Sequence, residues 1–359
     1  MRSQHSSANF LPLSPIINYH RRESVCESGS GHSGGNGSMG TVTGNLGRIS
    51  PVTQLAAKDW DLGGDHPGVV MHDVTSRPRP NGHVIVFANE KGGVGKSTLA
   101  FHTAIALCDA GKKVAVIDLD HGQATLSGAL TNREATCRLL KVGLPSPRHV
   151  AFSQTSAACL SQEIARIGSD CAYILIDVAG GDSPIARRAI AMADTLVTPV
   201  SSSFADIDLL GQFDAISLRL KRLGRFSRLV EGLRKARADA RLPDMDWLVV
   251  PNRSRHTGSN NEVTISKALA RLSAKARFRM AQGLGERVAY RELFLYGLTH
   301  FDLKRIPNLG RVKATARDEI SQLLADLQLP SDSDDQPELF AELAELGQRD
   351  EFRSLSMRA

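Results

Sequence analysis

The run Glu90-Lys91-Gly92-Gly93-Val94-Gly95-Lys96-Ser97-Thr98 has the residue types and spacing needed to hold a polyphosphate. Its glycines let backbone N–H groups face phosphate oxygens, and a helix starting immediately after them adds the positive end of its dipole. Lys96 would then reach the β- and γ-phosphates, and the Ser97 hydroxyl would be offered to Mg²⁺. One feature departs from the ordinary spacing, which asks for glycine where this chain has Glu90. The next residue, Lys91, adds a second cation that a single subunit's phosphate cradle does not need.

Such a loop works only between a buried strand and a helix. The apolar run 83–88 (HVIVFA) suits a strand buried on both faces, and residues 96–110 suit a helix closed by Gly111. Further apolar runs at 113–118, 172–177, 195–200 and 247–252 are separated by stretches long enough for crossover helices. This alternation predicts an α/β fold with a doubly wound, mostly parallel sheet of the P-loop NTPase type. Residues 316–329 form an amphipathic helix candidate ended by Pro330.

The chain has 359 residues, 42% hydrophobic and 23% charged, an ordinary globular composition. It lacks a run of eighteen apolar residues, and Pro12 and Pro15 interrupt the place where a signal peptide needs an apolar stretch. A cytoplasmic location is expected. Five cysteines with no C-x-x-C pair suggest neither a disulfide framework nor a zinc ribbon. Residues 1–81 are rich in Gly, Ser and Pro and have almost no apolar periodicity, so a disordered extension with no core of its own is expected. The folded domain is expected over 82–330, followed by an acidic tail over 331–359. Charge is concentrated in residues 215–241, where nine basic side chains face only Glu231 and Asp239. Such a block suits a polyanion, nucleic acid ahead of membrane, or is a solvated helix face.

The pattern KGGVGKST resembles the deviant phosphate loop of the ParA/MinD family of ATPases. That resemblance implies ATP and Mg²⁺ as ligands, with Lys91 to Thr98 holding the nucleotide. It also implies an ATP-bound homodimer in which Lys91 reaches the partner's nucleotide. The family's acidic pair matches Asp118 and Asp120, with Asp120 positioning the attacking water and Asp118 serving structure or the Mg²⁺ shell. The alternative for Asp120 is a turn or helix-capping residue. The run ending in Asp177 would deliver a carboxylate to Mg²⁺, and Gly180 with Gly181 would let the backbone approach the γ-phosphate. Asn252 matches the residue that hydrogen-bonds adenine, or is a turn-forming Asn.

Beyond these motifs, residues 180–189, 202–211, 245–253 and 286–303, above all Arg291-Glu292-Leu293-Phe294 with Gly297-Leu298-Thr299, are similar to the MipZ branch of that family. The resemblance implies a switch that binds DNA without sequence preference, interacts with ParB, inhibits FtsZ assembly and is nucleoid-associated, with no stable membrane association. Arg234, Arg237 and Arg241, at spacings of three and four, would share one helix face toward DNA phosphates. The rival readings are a ParA-type partition ATPase and, from a different class, an ATP-dependent iron–sulfur carrier, which would need paired cysteines that this chain lacks.

Overall fold

In the computed structural model the described residues are 65–330, apart from 121, 155, 202, 215–216, 253–259, 286–287 and 307–313. The tail expected over 331–359 and residues 1–64 lie outside them. In chain order the strands are β1 (His83–Phe87), β2 (Val114–Asp118), β3 (Arg148–Ala151), β4 (Tyr173–Asp177), β5 (Thr195–Val200), β6 (Gly211–Phe213), β7 (Leu220–Leu223), β8 (Asp246–Pro251) and β9 (Arg279–Met280). Seven of them form one parallel sheet in the order β3-β2-β4-β1-β5-β8-β9, of the parallel class that the five apolar runs predict. Strands β6 and β7 pair separately as an antiparallel hairpin.

The central strands are apolar throughout because both faces are covered. Val84, Val86, Ile174 and Ile176 join one core cluster, whereas Ile85, Phe87, Tyr173 and Leu175 join the other. Edge strand β3 has no counterpart among the apolar runs, since its residues are Arg148, His149, Val150 and Ala151 with both ends exposed. A strand that buries little carries no apolar run. Strand β9, two residues long, is too short to leave any pattern.

The helices are α1 (Pro67–Thr75), α2 (Lys96–Asp109), α3 (Thr125–Leu140), α4 (Ala157–Gly168), α5 (Pro184–Met192), α6 (Phe204–Ile207), α7 (Arg225–Asp239), α8 (Asn260–Ala276), α9 (Val288–Leu295) and α10 (Ala314–Leu327). Behind α2, Phe294 stacks edge-on to Phe101 at 5.1 Å and Tyr290 does so against His102 at 5.1 Å. The buried Arg133 of α3 binds both oxygens of Asp302 at 2.8 and 2.7 Å and the Gly297 carbonyl at 2.9 Å. Gly297 is obligatory in this brace: its φ is 63°, and a Cβ would lie 2.2 Å from the Arg133 nitrogen. Phe294 and Gly297 of the Arg291-to-Thr299 motif are therefore packed supports for α2 and α3, whereas Arg291 and Glu292 are exposed. Among the described residues, no helix is long and apolar enough to cross a membrane.

One expectation is corrected at the N-terminal side. Residues 65–81 are not a structureless part of the tail, because α1 packs on α5 and α7. His66 caps it, its Nδ1 accepting from Gly68 N at 3.1 Å, and Pro67 occupies the first turn, where no N–H is missed. Val70 and Met71, 0% and 3% exposed, enter the core, and Arg188 binds the carboxylates of Asp65 and Asp73 at 2.7 and 2.6 Å. A short run of apolar residues among glycines and prolines is too brief a signal to read without its partners. Burying Val70 and Met71 contributes about 2–3 kcal/mol each before chain ordering is set against it. Removing residues 1–81 is therefore expected to lower the calorimetric melting temperature by about 5 °C. An unchanged transition would show that the helix rests on the surface without holding it.

Candidate active site

The register of the sheet assembles the site. Phe87 at the end of β1 lies beside Asp177 of β4, and Asp177 lies beside Asp118 of β2. The phosphate loop leaves β1 between the tips of β4 and β5, so Asp118, Asp120 and Asp177 end near the same edge as Lys96 and Ser97. Gly95 starts α2 with φ 97°, a left-handed conformation that favours glycine, and Gly93 has φ 75°. Gly92 and Gly93 are exposed, with nothing within 4 Å of where a Cβ would stand. Their backbone is open to a ligand. Val94 is buried, and Thr98 is half-buried on the first turn of α2.

Lys96 is only 7% exposed and donates to the Lys91 carbonyl at 3.1 Å. Burial pulls its pKa down, while Asp177 and Asp120 pull the other way. Asp177, 1% exposed, has neither oxygen in a hydrogen bond of good geometry. Burial pushes its pKa up to about 7, opposed by the neighbouring Ser97 hydroxyl and Lys96 and reinforced by Asp118 and Asp120. A buried carboxylate with uncommitted oxygens beside a serine hydroxyl is the donor set a hard cation such as Mg²⁺ takes.

Asp118 is buried and both of its oxygens are engaged by backbone. Its oxygens accept from Asp120 N and from Ser127 N, each at 2.9 Å, and the second bond satisfies one N–H of the first turn of α3. Asp120 does hold the turn, accepting from Gln123 N at 3.2 Å, and it also stands close enough to Lys96 to act on its charge. Gly180 packs on the phosphate loop so closely that a Cβ would lie 3.3 Å from Gly92 N. Asn252 is buried and both ends of its amide are used inside the protein. It donates to the Val94 carbonyl at 3.0 Å and accepts from Leu284 N at 3.2 Å, so here it ties the loop to the segment after β9.

Lys91 points away from its own loop. Its ammonium pairs with Asp206, which is 1% exposed and also accepts from the Ser201 hydroxyl and backbone N–H. Asp206 is absent from the candidates drawn from sequence, because a lone acid on a short helix has no spacing signal. Glu90, the residue in glycine's place, faces Arg225 at 3.6 Å, and Arg225 also binds Asp182 at 2.8 Å. Burial raises the Glu90 pKa.

The expected basic face is corrected. Arg237 is 1% exposed and donates to the Pro243 and Ala191 carbonyls at 3.0 and 2.7 Å; burial lowers its pKa to about 10. Arg234 donates to the two oxygens of Asp244 through Nε and Nη2, each at 2.9 Å, and to the Arg277 carbonyl through Nη1 at 2.7 Å. Arg241 is exposed but lies beyond the end of α7, with φ 57°. Spacing alone misleads here, because it counts charges without showing which face of α7 packs on the core. The exposed cations of that helix are Arg225, Arg228 and Lys235. Arg228 and Lys235 lie two turns apart on one side, a spacing of seven that the sequence does contain.

The family model described as ATPase MipZ matches residues 83–331. The septum site-determining protein MinD of Helicobacter pylori is 33% identical over 165 residues, covering 39% of this chain and 62% of that protein. This chain thus spans less than two thirds of that relative's length. The chromosome-partitioning ATPase Soj of Thermus thermophilus is 26% identical over 203 residues, 48% of this chain and 82% of Soj. Among solved structures, an ATP complex of a Cyanothece McdA variant is similar with a TM-score of 0.47 and 19% identity, covering 70% of this chain and 98% of that one. Aquifex aeolicus MinD gives a TM-score of 0.46 at 19% identity, with 71% and 100% covered.

Proposed function

The chain belongs to the ATPase MipZ family, within the ParA/MinD group of P-loop ATPases, and from that premise we propose that it is an ATP-driven switch for cellular positioning. The observation that carries the reading is the division of labour between two lysines. Lys96 is buried beside Asp177 at the head of α2, whereas Lys91 is turned outward onto Asp206. Lys96 and the backbone N–H groups from Gly92 to Thr98 hold the phosphates. Ser97 and Asp177 would hold Mg²⁺, which would supply neutralisation of the phosphate charge. Asp120 orients the attacking water, and Gly180 and Gly181 let the backbone meet the γ-phosphate. Lys91 leaves Asp206 and serves the partner's nucleotide when two ATP-bound chains pair. Asn252 borders the adenine pocket and would exchange a protein contact for the base.

The ATP-bound dimer binds DNA without sequence preference, using the exposed cations Arg228, Lys235 and Arg241 in place of the face through Arg237. Family membership further supports ParB and FtsZ as partners, testable by pull-downs in ADP and in a non-hydrolysable ATP analogue. The direct test is DNA binding at two salt concentrations. Replacing Arg228, Lys235 and Arg241 together by Ala is expected to weaken ATP-dependent binding to any duplex at least about tenfold and to flatten its salt dependence. Arg237→Ala should instead destabilise the fold by about 2 kcal/mol, because the buried Ala191 carbonyl and the part-buried Pro243 carbonyl lose their donor. If the triple variant binds a random duplex as tightly as the parent at both salt concentrations, the block is a solvated face.

A further inference from the structure

Residues 65–75 lie outside the family-matched region 83–331, yet they are wired to the loop that follows Asp177. The central piece is Arg187 at the start of α5. It is 1% exposed, gives Nε and Nη2 to the two oxygens of Asp182 at 2.7 and 2.5 Å, and gives Nη1 to the main-chain oxygen of Asp65 at 2.7 Å. Asp182 directly follows Gly180 and Gly181, and Gly180 rests on Gly92 and Glu90 of the phosphate loop. One continuous path therefore joins the Asp65 carbonyl, Arg187, Asp182, the glycine pair and the phosphate loop. The path's outer end is clamped twice: by Arg188 on the Asp65 and Asp73 carboxylates, and by Val70 and Met71 in the core cluster that also holds Ala186 and Ile190.

We propose that residues 65–75 are a positioning strap for the γ-phosphate wall of the site, acting through Arg187 on Asp182. The proposal rests on the reading that Gly180 and Gly181 meet the γ-phosphate. A buried guanidinium whose N–H loses its acceptor is costly, so Arg187 must re-pair or shift once the strap leaves. Asp182 is bonded to it twice and moves with it. Arg225 also holds Asp182, but its side chain is 45% exposed, and an exposed ion pair fixes position weakly. The glycine wall then loses its register with the loop. ATP affinity falls because ATP has a γ-phosphate there. ADP affinity does not, because ADP leaves that wall empty.

The test uses the full-length chain and three variants. Asp65→Asn with Asp73→Asn removes the ion pairs, and Val70→Asp ejects the strap from its apolar seat by a separate route. The conservative control is Asp65→Glu with Asp73→Glu. Affinities for ADP and for a non-hydrolysable ATP analogue are measured alongside hydrogen exchange of the amides of residues 65–75. Both releasing variants are expected to bind the ATP analogue about tenfold more weakly with ADP affinity within about twofold of the parent, while the glutamate control keeps the parental preference. Strap amides that exchange freely in either variant with an unchanged ATP-to-ADP preference would overturn the proposal, leaving the strap a stabiliser only. Equal loss of both nucleotides would overturn it too, as would amides that stay protected in both variants. A parental protein that binds neither nucleotide would instead sink the underlying reading of the site.

Discussion

Mixed in equal amounts, Lys91→Ala and Asp120→Ala chains are expected to recover ATP hydrolysis that neither shows alone. Each single variant should lose at least about a hundredfold in turnover, since one removes a cation from the developing phosphoryl charge and the other removes the group that orients water. In the single chain, the Lys91 ammonium sits on Asp206 while Lys96 occupies the inward position. Leaving Asp206 is feasible, because the Ser201 hydroxyl and backbone N–H remain as donors to that buried carboxylate. A mixed dimer then has one site with Asp120 from the first variant and Lys91 from the second, and another site lacking both. Random assortment of a two-fold dimer predicts about a quarter of the parental rate. Both variants should still bind ATP, in contrast to Lys96→Ala. If heterodimers form in ATP without regaining phosphate release, Lys91 acts within its own chain.

Asp177→Asn should separate stability from turnover, with a sign fixed by proton linkage. The folded carboxyl has its pKa pushed up to about 7 by burial, against an ordinary value of 3.8. Between these values the native state keeps a proton that the unfolded chain has released, so stability from this group is lost as pH rises through about 7. The neutral amide escapes that loss. Without nucleotide or Mg²⁺, the variant should match the parent near pH 4 and exceed it near pH 8 by about 4 kcal/mol, on the order of 10 °C in melting temperature. Its Mg²⁺-dependent hydrolysis should fall at least about a hundredfold, because an amide is a poor ligand for a hard cation. A variant that melts no higher than the parent near pH 8 would show that Asp177 is not a costly buried charge in the empty protein.

The sequence by itself determined the phosphate loop and the buried strands that end in Asp118 and Asp177. These are local properties: glycine at a left-handed turn, lysine and serine at the head of a helix, and apolar runs covered on both faces all declare themselves within a few residues. Tertiary structure decided which charges remain available. Arg237 and Lys235 are near neighbours on one helix, yet Arg237 is sealed under two carbonyls and Lys235 faces solvent, because burial depends on what packs against each side of α7. Tertiary structure also decided that Lys91 rests on Asp206, that Asn252 ties down the phosphate loop, and that residues 65–75 dock on Arg187 and Arg188 more than a hundred positions away. Such contacts join residues distant in the chain and are selected by shape, burial and charge pairing in the folded state, none of which leaves a periodic trace along one dimension.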